Sequence, residues 1–279
     1  MAVVVVTDSS ARLEPDELQR WGIRQVPLHV LVDGTDLRDG IDPVPYDIHD
    51  RAHVTTAGAA PADLTEAYRK ALADSGGDGV VAVHLSAALS STFSTAVATA
   101  REFGPAVRVV NARSAAAGVG FVAVAAARSA AAGEDLDTVE AAARSAVPRG
   151  RAFIVVHRLD NLRRSGRIGT AASWLGTALS LKPLLCLDVD GRLVLSQRIR
   201  TSSKAHAAMI EAVVEFVGDH AASVVVHHVD NHDDADVLGA ALTARLPQLE
   251  SLTVSDMGPV LSIHVGGGAI GVCVTVDAS

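Results

Sequence analysis

The residues able to do chemistry gather in a few short clusters. The first is Thr7-Asp8-Ser9-Ser10. An aspartate just past a buried strand could be a nucleophile or a metal ligand, because ligands of open α/β sheets collect beyond the carboxyl ends of the strands. Asp8 and the serines equally suit a helix cap and a fixed loop. No second acidic motif accompanies them, which favours the cap. The second cluster is Ser86-Ala87-Ala88-Leu89-Ser90-Ser91-Thr92. Its hydroxyls stand where a strand gives way to a helix, and the free N–H groups and dipole of a first turn favour an anion. A carboxylate placed there would accept those N–H groups and a serine O–H. A self-contained N-cap would use the same atoms.

Three further clusters carry polar or permissive residues. Val54–Pro61 is built of small residues, with Thr56 as a donor and Pro61 placed to open a helix. His264-Val265-Gly266-Gly267-Gly268-Ala269 joins an imidazole to glycines that let the backbone fold tightly around a ligand. It lacks the spacing of a dinucleotide fingerprint. Arg149, Arg151, Arg158, Arg163, Arg164 and Arg167 crowd one stretch whose only carboxylate is Asp160. That excess suits an anionic partner or a phosphate, and equally a solvated face. His227, His228, His232, Asp233, Asp234 and Asp236 are metal-capable types without a metal-binding spacing. Asp233 and Asp234 read more simply as the acidic start of a helix. Ser90 lies outside a GxSxG elbow and nothing marks a base beside it.

The elements that must position these residues alternate in type. Val3–Val6, Gln25–Val32, Gly79–Leu85 and Val107–Val110 are expected as strands. Helices are expected over Ala62–Ala73, with Glu66 and Lys70 spaced as an ion pair, from about Ser91 to Phe103, and over Ala115–Ala131. A loop-rich region fills the stretch from Gly34 to Pro61. This alternation predicts a mostly parallel sheet with helices on both faces. A boundary near Val147–Gly150 gives two α/β domains, 1–150 and 151–279. In the second, strands are expected over Ala152–Val156, Ser223–Val229 and Ala269–Val276, and helices over Ala171–Leu181, Lys204–Val217 and Asp234–Arg245. Leu184–Asp188 and Leu193–Arg200 flank Asp190-Gly191, a hairpin signal that predicts a mixed or antiparallel sheet.

Bulk properties narrow the function classes. The 279 residues are 49% hydrophobic but only 3% aromatic, so the cores must be aliphatic, which also suits an alkyl chain. A formal net charge of −8 lacks the basic footprint of a nucleic-acid binder. Cys186 and Cys273 form no disulfide framework or CxxC pair and read as small buried apolar side chains. The N-terminus has no basic start, and the most apolar run, Ala115–Ala127, is too short to span a bilayer. A cytoplasmic protein without stable membrane insertion is expected.

Taken in order, the clusters resemble the motifs of the DegV family over nearly the whole chain. Thr7-Asp8-Ser9-Ser10 resembles its opening TDS, and Val26-Pro27 its second strand. Thr56–Pro61 stands where the family has TSQPSP, and Ser86–Phe93 where it has SxxLSGTY. Leu162–Ile168 is similar to its LkkGGRI, Leu181–Leu185 to its IKPIL, Arg200 with Lys204-Ala205 to its RxxxKA, and His264–Ala269 to its HxGPGA. Ala57, Gly58, Ser91 and Gly267 depart from that pattern. The resemblance implies a two-domain fold that buries one long-chain fatty acid between or beneath the domains. It also implies that the carboxylate is presented to a separate fatty acid kinase, with no catalysis and no cofactor in this chain. It puts ligand carboxylate-binding groups at Thr56, Ser90 and His264, and head-group or partner-docking arginines at Arg167 and Arg200, with Arg163 and Arg164 beside them.

Physical chemistry fits such a ligand. Each buried tail CH₂ is worth roughly 0.8 kcal/mol, and the carboxylate must be matched once it leaves water. The alternatives are a Ser- or Asp-dependent acyl hydrolase or phosphotransfer enzyme, using Ser90 with His264 or Asp8, and a lipid-sensing regulatory module.

Overall fold

The computed structural model describes residues 2–51, 53–168 and 181–277. The chain divides into two compact units, Met1–Pro45 with His53–Pro148, and Tyr46–Ala52 with Arg149–Ser279. The first unit runs β1 (Val4–Asp8), α1 (Pro15–Trp21), β2 (Arg24–Val26), β3 (His29–Val32), β4 (Thr35–Arg38), β5 (Thr55–Ala57), α2 (Pro61–Asp74), β6 (Val80–His84), α3 (Thr92–Ala100), β7 (Val107–Asn111), α4 (Ala117–Ala131) and α5 (Leu136–Ala146).

Four of these strands form a parallel sheet in the order β2-β1-β6-β7. Every residue of β6 is buried, as a strand covered on both faces requires. α1 packs against α4, α4 against α5, and α2 against α3. From β1 the chain steps outward to β2 and then returns past β1 to β6. Right-handed crossovers therefore put α1 and α2 on opposite faces. The direction of winding reverses between β1 and β6, so the carboxyl ends of these two strands form the switch point where ligands of such sheets bind. The TDS cluster and the Ser86–Thr92 cluster follow directly from those two ends.

The extended run Gln25–Val32 is two strands. Pro27 has no N–H to continue a ladder. β2 stays in the parallel sheet, while β3 pairs antiparallel with β4 and β5 in a separate three-stranded sheet. The region read as loop therefore holds two strands. On α2, Glu66 pairs with Arg69 and not with Lys70.

The second unit runs β8 (Gly150–Val155), α6 (Asp160–Arg164), β9 (Leu184–Leu187), β10 (Leu193–Gln197), α7 (Ser202–Val217), β11 (Ala222–His228), α8 (His232–Arg245), β12 (Leu249–Asp256), α9 (Pro259–Val265) and β13 (Ile270–Val276). It also takes in the 3-10 turn Ile48–Asp50. Its six-stranded mixed sheet has the order β10-β9-β8-β13-β11-β12, with only β11 and β12 parallel among the named pairs. The hairpin at Asp190-Gly191 joins β9 to β10 as expected. Met209 and Val213 of α7 and Leu238 and Leu242 of α8 bury against Val224, Val226 and Val272. The helix expected over 171–181 falls, residue 181 apart, outside the described residues. Among the described residues no helix is long and apolar enough to cross a membrane.

Candidate functional site

Asp8 ends β1 with no solvent exposure. One carboxylate oxygen accepts the Ser10 N–H at 3.1 Å and the Ser10 hydroxyl. The other accepts the Leu85 N–H at 3.0 Å and meets His84 Nδ1 at 3.0 Å. The far nitrogen of His84, Nε2, lies 3.0 Å from the Tyr68 hydroxyl. A carboxylate can only accept, so His84 donates from Nδ1, and its Nε2 faces the Tyr68 O–H. Burial, and then the Asp8 charge, push the Tyr68 phenol well above its ordinary pKa, so it keeps that proton. With four donors on it, Asp8 is a structural anchor joining β1 to the turn after β6. It also caps the short turn Ser9–Ala11. His84 and Tyr68 were not singled out from the sequence; a histidine closing an otherwise apolar strand beside a strand ending in aspartate is the signal that could have found them.

Asp8 thus holds the start of the Ser86–Thr92 turn. Within that turn Ser90 Oγ accepts the Thr92 N–H at 3.2 Å and lies 2.9 Å from Thr92 Oγ1. Thr92 Oγ1 accepts the Ala59 N–H at 3.2 Å. The Thr56 segment is thereby tied to the Ser90 segment, through Gly58. A Cβ at Gly58 would stand 2.6 Å from Thr92 Oγ1 and 3.3 Å from Ser90 Oγ. The departure to glycine at this position is therefore what allows the close approach. Thr56 lies on β5 opposite Val30 and is partly buried. The segments that carry Thr56 and Ser90 thus meet at Gly58 and Ala59 within the first unit.

His264 belongs to the second unit, where it sits in the last turn of α9 and not in a glycine loop. It is partly buried; burial, and then the charge of Arg167, lower its pKa from 6.5 to about 4. Arg167 is partly buried, and its guanidinium donates to the Ser165 carbonyl at 2.6 Å. The glycines after α9 fit against protein side chains. Gly266 and Gly268 have left-handed φ of 80° and 77°. A Cβ at Gly268 would stand 2.3 Å from His157 Nδ1, and one at Gly267 3.1 Å from His49 Nε2. His49 is held there by Asp230, 3.0 Å from its Nε2. The glycine run expected to wrap a ligand is shaped at these positions by His157 and His49.

The arginines are dispersed. Arg151 stacks on Phe216 with 4.9 Å from guanidinium to ring centre. Arg158 pairs with Asp160 at 2.9 Å. Arg163 and Arg164 are exposed on α6, where Arg164 donates to Asn161 at 2.7 Å, and Arg200 is exposed beyond β10. Among the described residues no three His, Cys, Asp or Glu side chains are grouped to hold a metal. His227 Nδ1 meets Ser255 Oγ at 3.0 Å, and His232 faces Asp236 at 3.6 Å.

Comparison with known proteins agrees in every direction. The profile of the family described as "Uncharacterised protein, DegV family" matches residues 2–277. A DegV domain-containing protein of Mycobacterium tuberculosis is 62% identical over 279 residues, covering 100% of this chain and 99% of its own. A solved DegV family protein from Thermus thermophilus, named for fatty acid binding, superposes with a TM-score of 0.92 at 31% identity, covering 99% of this chain and 100% of that one. DegV of Bacillus subtilis, named a fatty acid binding protein, superposes with a TM-score of 0.88 at 26% identity, covering 99% and 100%. With its two α/β units, its ordered motifs and its match from end to end, this chain belongs to the DegV family.

Proposed function

We propose that this chain binds one long-chain fatty acid and presents its carboxylate to a separate fatty acid kinase, performing no chemistry itself. The observation that carries the reading is the likeness to the Thermus thermophilus protein, named for fatty acid binding, at 31% identity over 99% of this chain. Thr56, Ser90 and His264 are the proposed carboxylate-binding residues. Burial, and then the Arg167 charge, lower the His264 pKa to about 4, so at pH 7 the neutral ring offers a carboxylate one N–H donor. The tail needs only apolar surface, which the aliphatic composition supplies. Arg167 and Arg200, with Arg163 and Arg164, serve the head group or dock the kinase. The protein acts in the cytoplasm, without a nucleic-acid partner or stable membrane insertion. A hydrolase or phosphotransfer reading is disfavoured by the saturation of Asp8 and by the threonine, in place of a base, beside Ser90.

Mass spectrometry of denatured recombinant protein tests the reading. One long-chain fatty acid released per chain is expected. Protein that is empty, and that takes up neither oleate nor palmitate, would refute it.

A further inference from the structure

The Ser90–Thr92 pair has a definite proton direction. Ser90 Oγ and Thr92 Oγ1 are 2.9 Å apart, and either could be the donor by distance alone. Thr92 is completely buried, whereas Ser90 is partly exposed. If Ser90 donated, the Thr92 proton would have to find another acceptor, and among the described residues none lies within hydrogen-bonding reach. A buried donor without a partner is strongly disfavoured. Thr92 must therefore donate to Ser90. Its own oxygen is then satisfied by the Ala59 N–H. Ser90 Oγ in turn accepts twice, from the Thr92 N–H and the Thr92 O–H. Both lone pairs are used, and its own proton is left over for a partner outside the pair.

We propose that Thr92 is a positioning residue that makes Ser90 a donor-only hydroxyl, and that this polarity selects a carboxylate over head groups that must themselves donate. The inference rests on the fatty-acid reading above and deepens it. A hydroxyl is ordinarily one donor and two acceptors, free to suit either kind of partner. Here a carboxylate, which only accepts, meets a fixed proton. A fatty alcohol can accept that proton but finds no lone pair on Ser90 for its own. Gly58 belongs to the device, because a Cβ there would stand 2.6 Å from Thr92 Oγ1 and displace it.

The test compares oleate with oleyl alcohol on the full-length protein stripped of ligand. Wild type should prefer oleate. Thr92→Val removes the hydroxyl at constant shape and frees a lone pair on Ser90. The oleate-to-alcohol affinity ratio should shrink by up to about tenfold, the size of one neutral hydrogen bond gained by the alcohol. Thr92→Ser should restore the ratio. Gly58→Ala shifts the same hydroxyl without deleting it and should shrink the ratio too, which gives a second reading if Thr92→Val folds poorly. A purely structural Thr92 would weaken both ligands equally. An unchanged ratio in Thr92→Val and Gly58→Ala overturns this inference alone. Wild-type protein that takes up neither ligand overturns it together with the fatty-acid reading.

Discussion

At the scale of the residue, groups that anchor differ from groups proposed to bind. Ser90 is proposed to bind. Removing its hydroxyl by Ser90→Ala takes one hydrogen bond from a carboxylate, worth about 1.5–3 kcal/mol. Oleate retention measured by calorimetry should fall at least tenfold, with the fold intact; unchanged retention would make Ser90 a cap only. Asp8 is an anchor. Asp8→Ala strands the Ser10 and Leu85 N–H groups and the His84 Nδ1–H in a fully buried place. The loss should be about 3 kcal/mol or more, read as a lower urea midpoint at unchanged slope. His264 links stability to pH. Its folded pKa of about 4 lies below the ordinary 6.5, so between those values the unfolded chain binds the proton and the folded chain does not. Its stabilising contribution is complete above pH 6.5 and is lost as pH falls towards 4. In ligand-free protein the His264 resonances should titrate near that lower value, and His264→Gln should flatten the acid limb of the stability curve. A titration at the ordinary value would contradict the burial argument.

At the scale of the element, the glycine turn between α9 and β13 gives a graded prediction. Gly268→Ala places a Cβ on His157 and holds alanine at a φ of 77°. A loss of about 1–3 kcal/mol is expected. Gly267 has no left-handed φ and only His49 nearby, so Gly267→Ala should cost clearly less. Thermal melting of the two variants checks the order. This turn also shows where sequence reading stops. Three glycines after a histidine read as a loop, yet His264 is helical because Pro259 starts a turn that α9 completes. β12 escaped notice because it is an edge strand with only partly buried or exposed residues and no clean apolar alternation. The buried strands β1 and β6 and the β9–β10 hairpin were legible, because their patterns are local. Gln25–Val32 reads as one strand, yet the break at Pro27 separates two sheets, and pairing partners do not show in a single run.

At the scale of the whole molecule, the ordered motifs were visible in the sequence, while the network that ties them together was not. His84 meets Asp8 across 76 positions, and only the parallel pairing of β1 with β6 brings them side by side. The Ala59 N–H that Thr92 Oγ1 accepts likewise comes from 33 positions away. The proposed docking of a kinase belongs to this scale. Arg163 and Arg164 are exposed on one short helix, so the double change to Glu should reduce kinase binding, measured by surface capture at low salt, while fatty-acid content stays the same. Equal binding would remove the arginines from the docking face.

The measurement that bears most directly on the account is a crystal structure of the protein loaded with oleate. An elongated tail enclosed by aliphatic side chains is predicted, with one carboxylate oxygen within hydrogen-bonding distance of Ser90 Oγ. A solidly packed interior, or a bound oleate whose carboxylate lies away from Ser90, would contradict it.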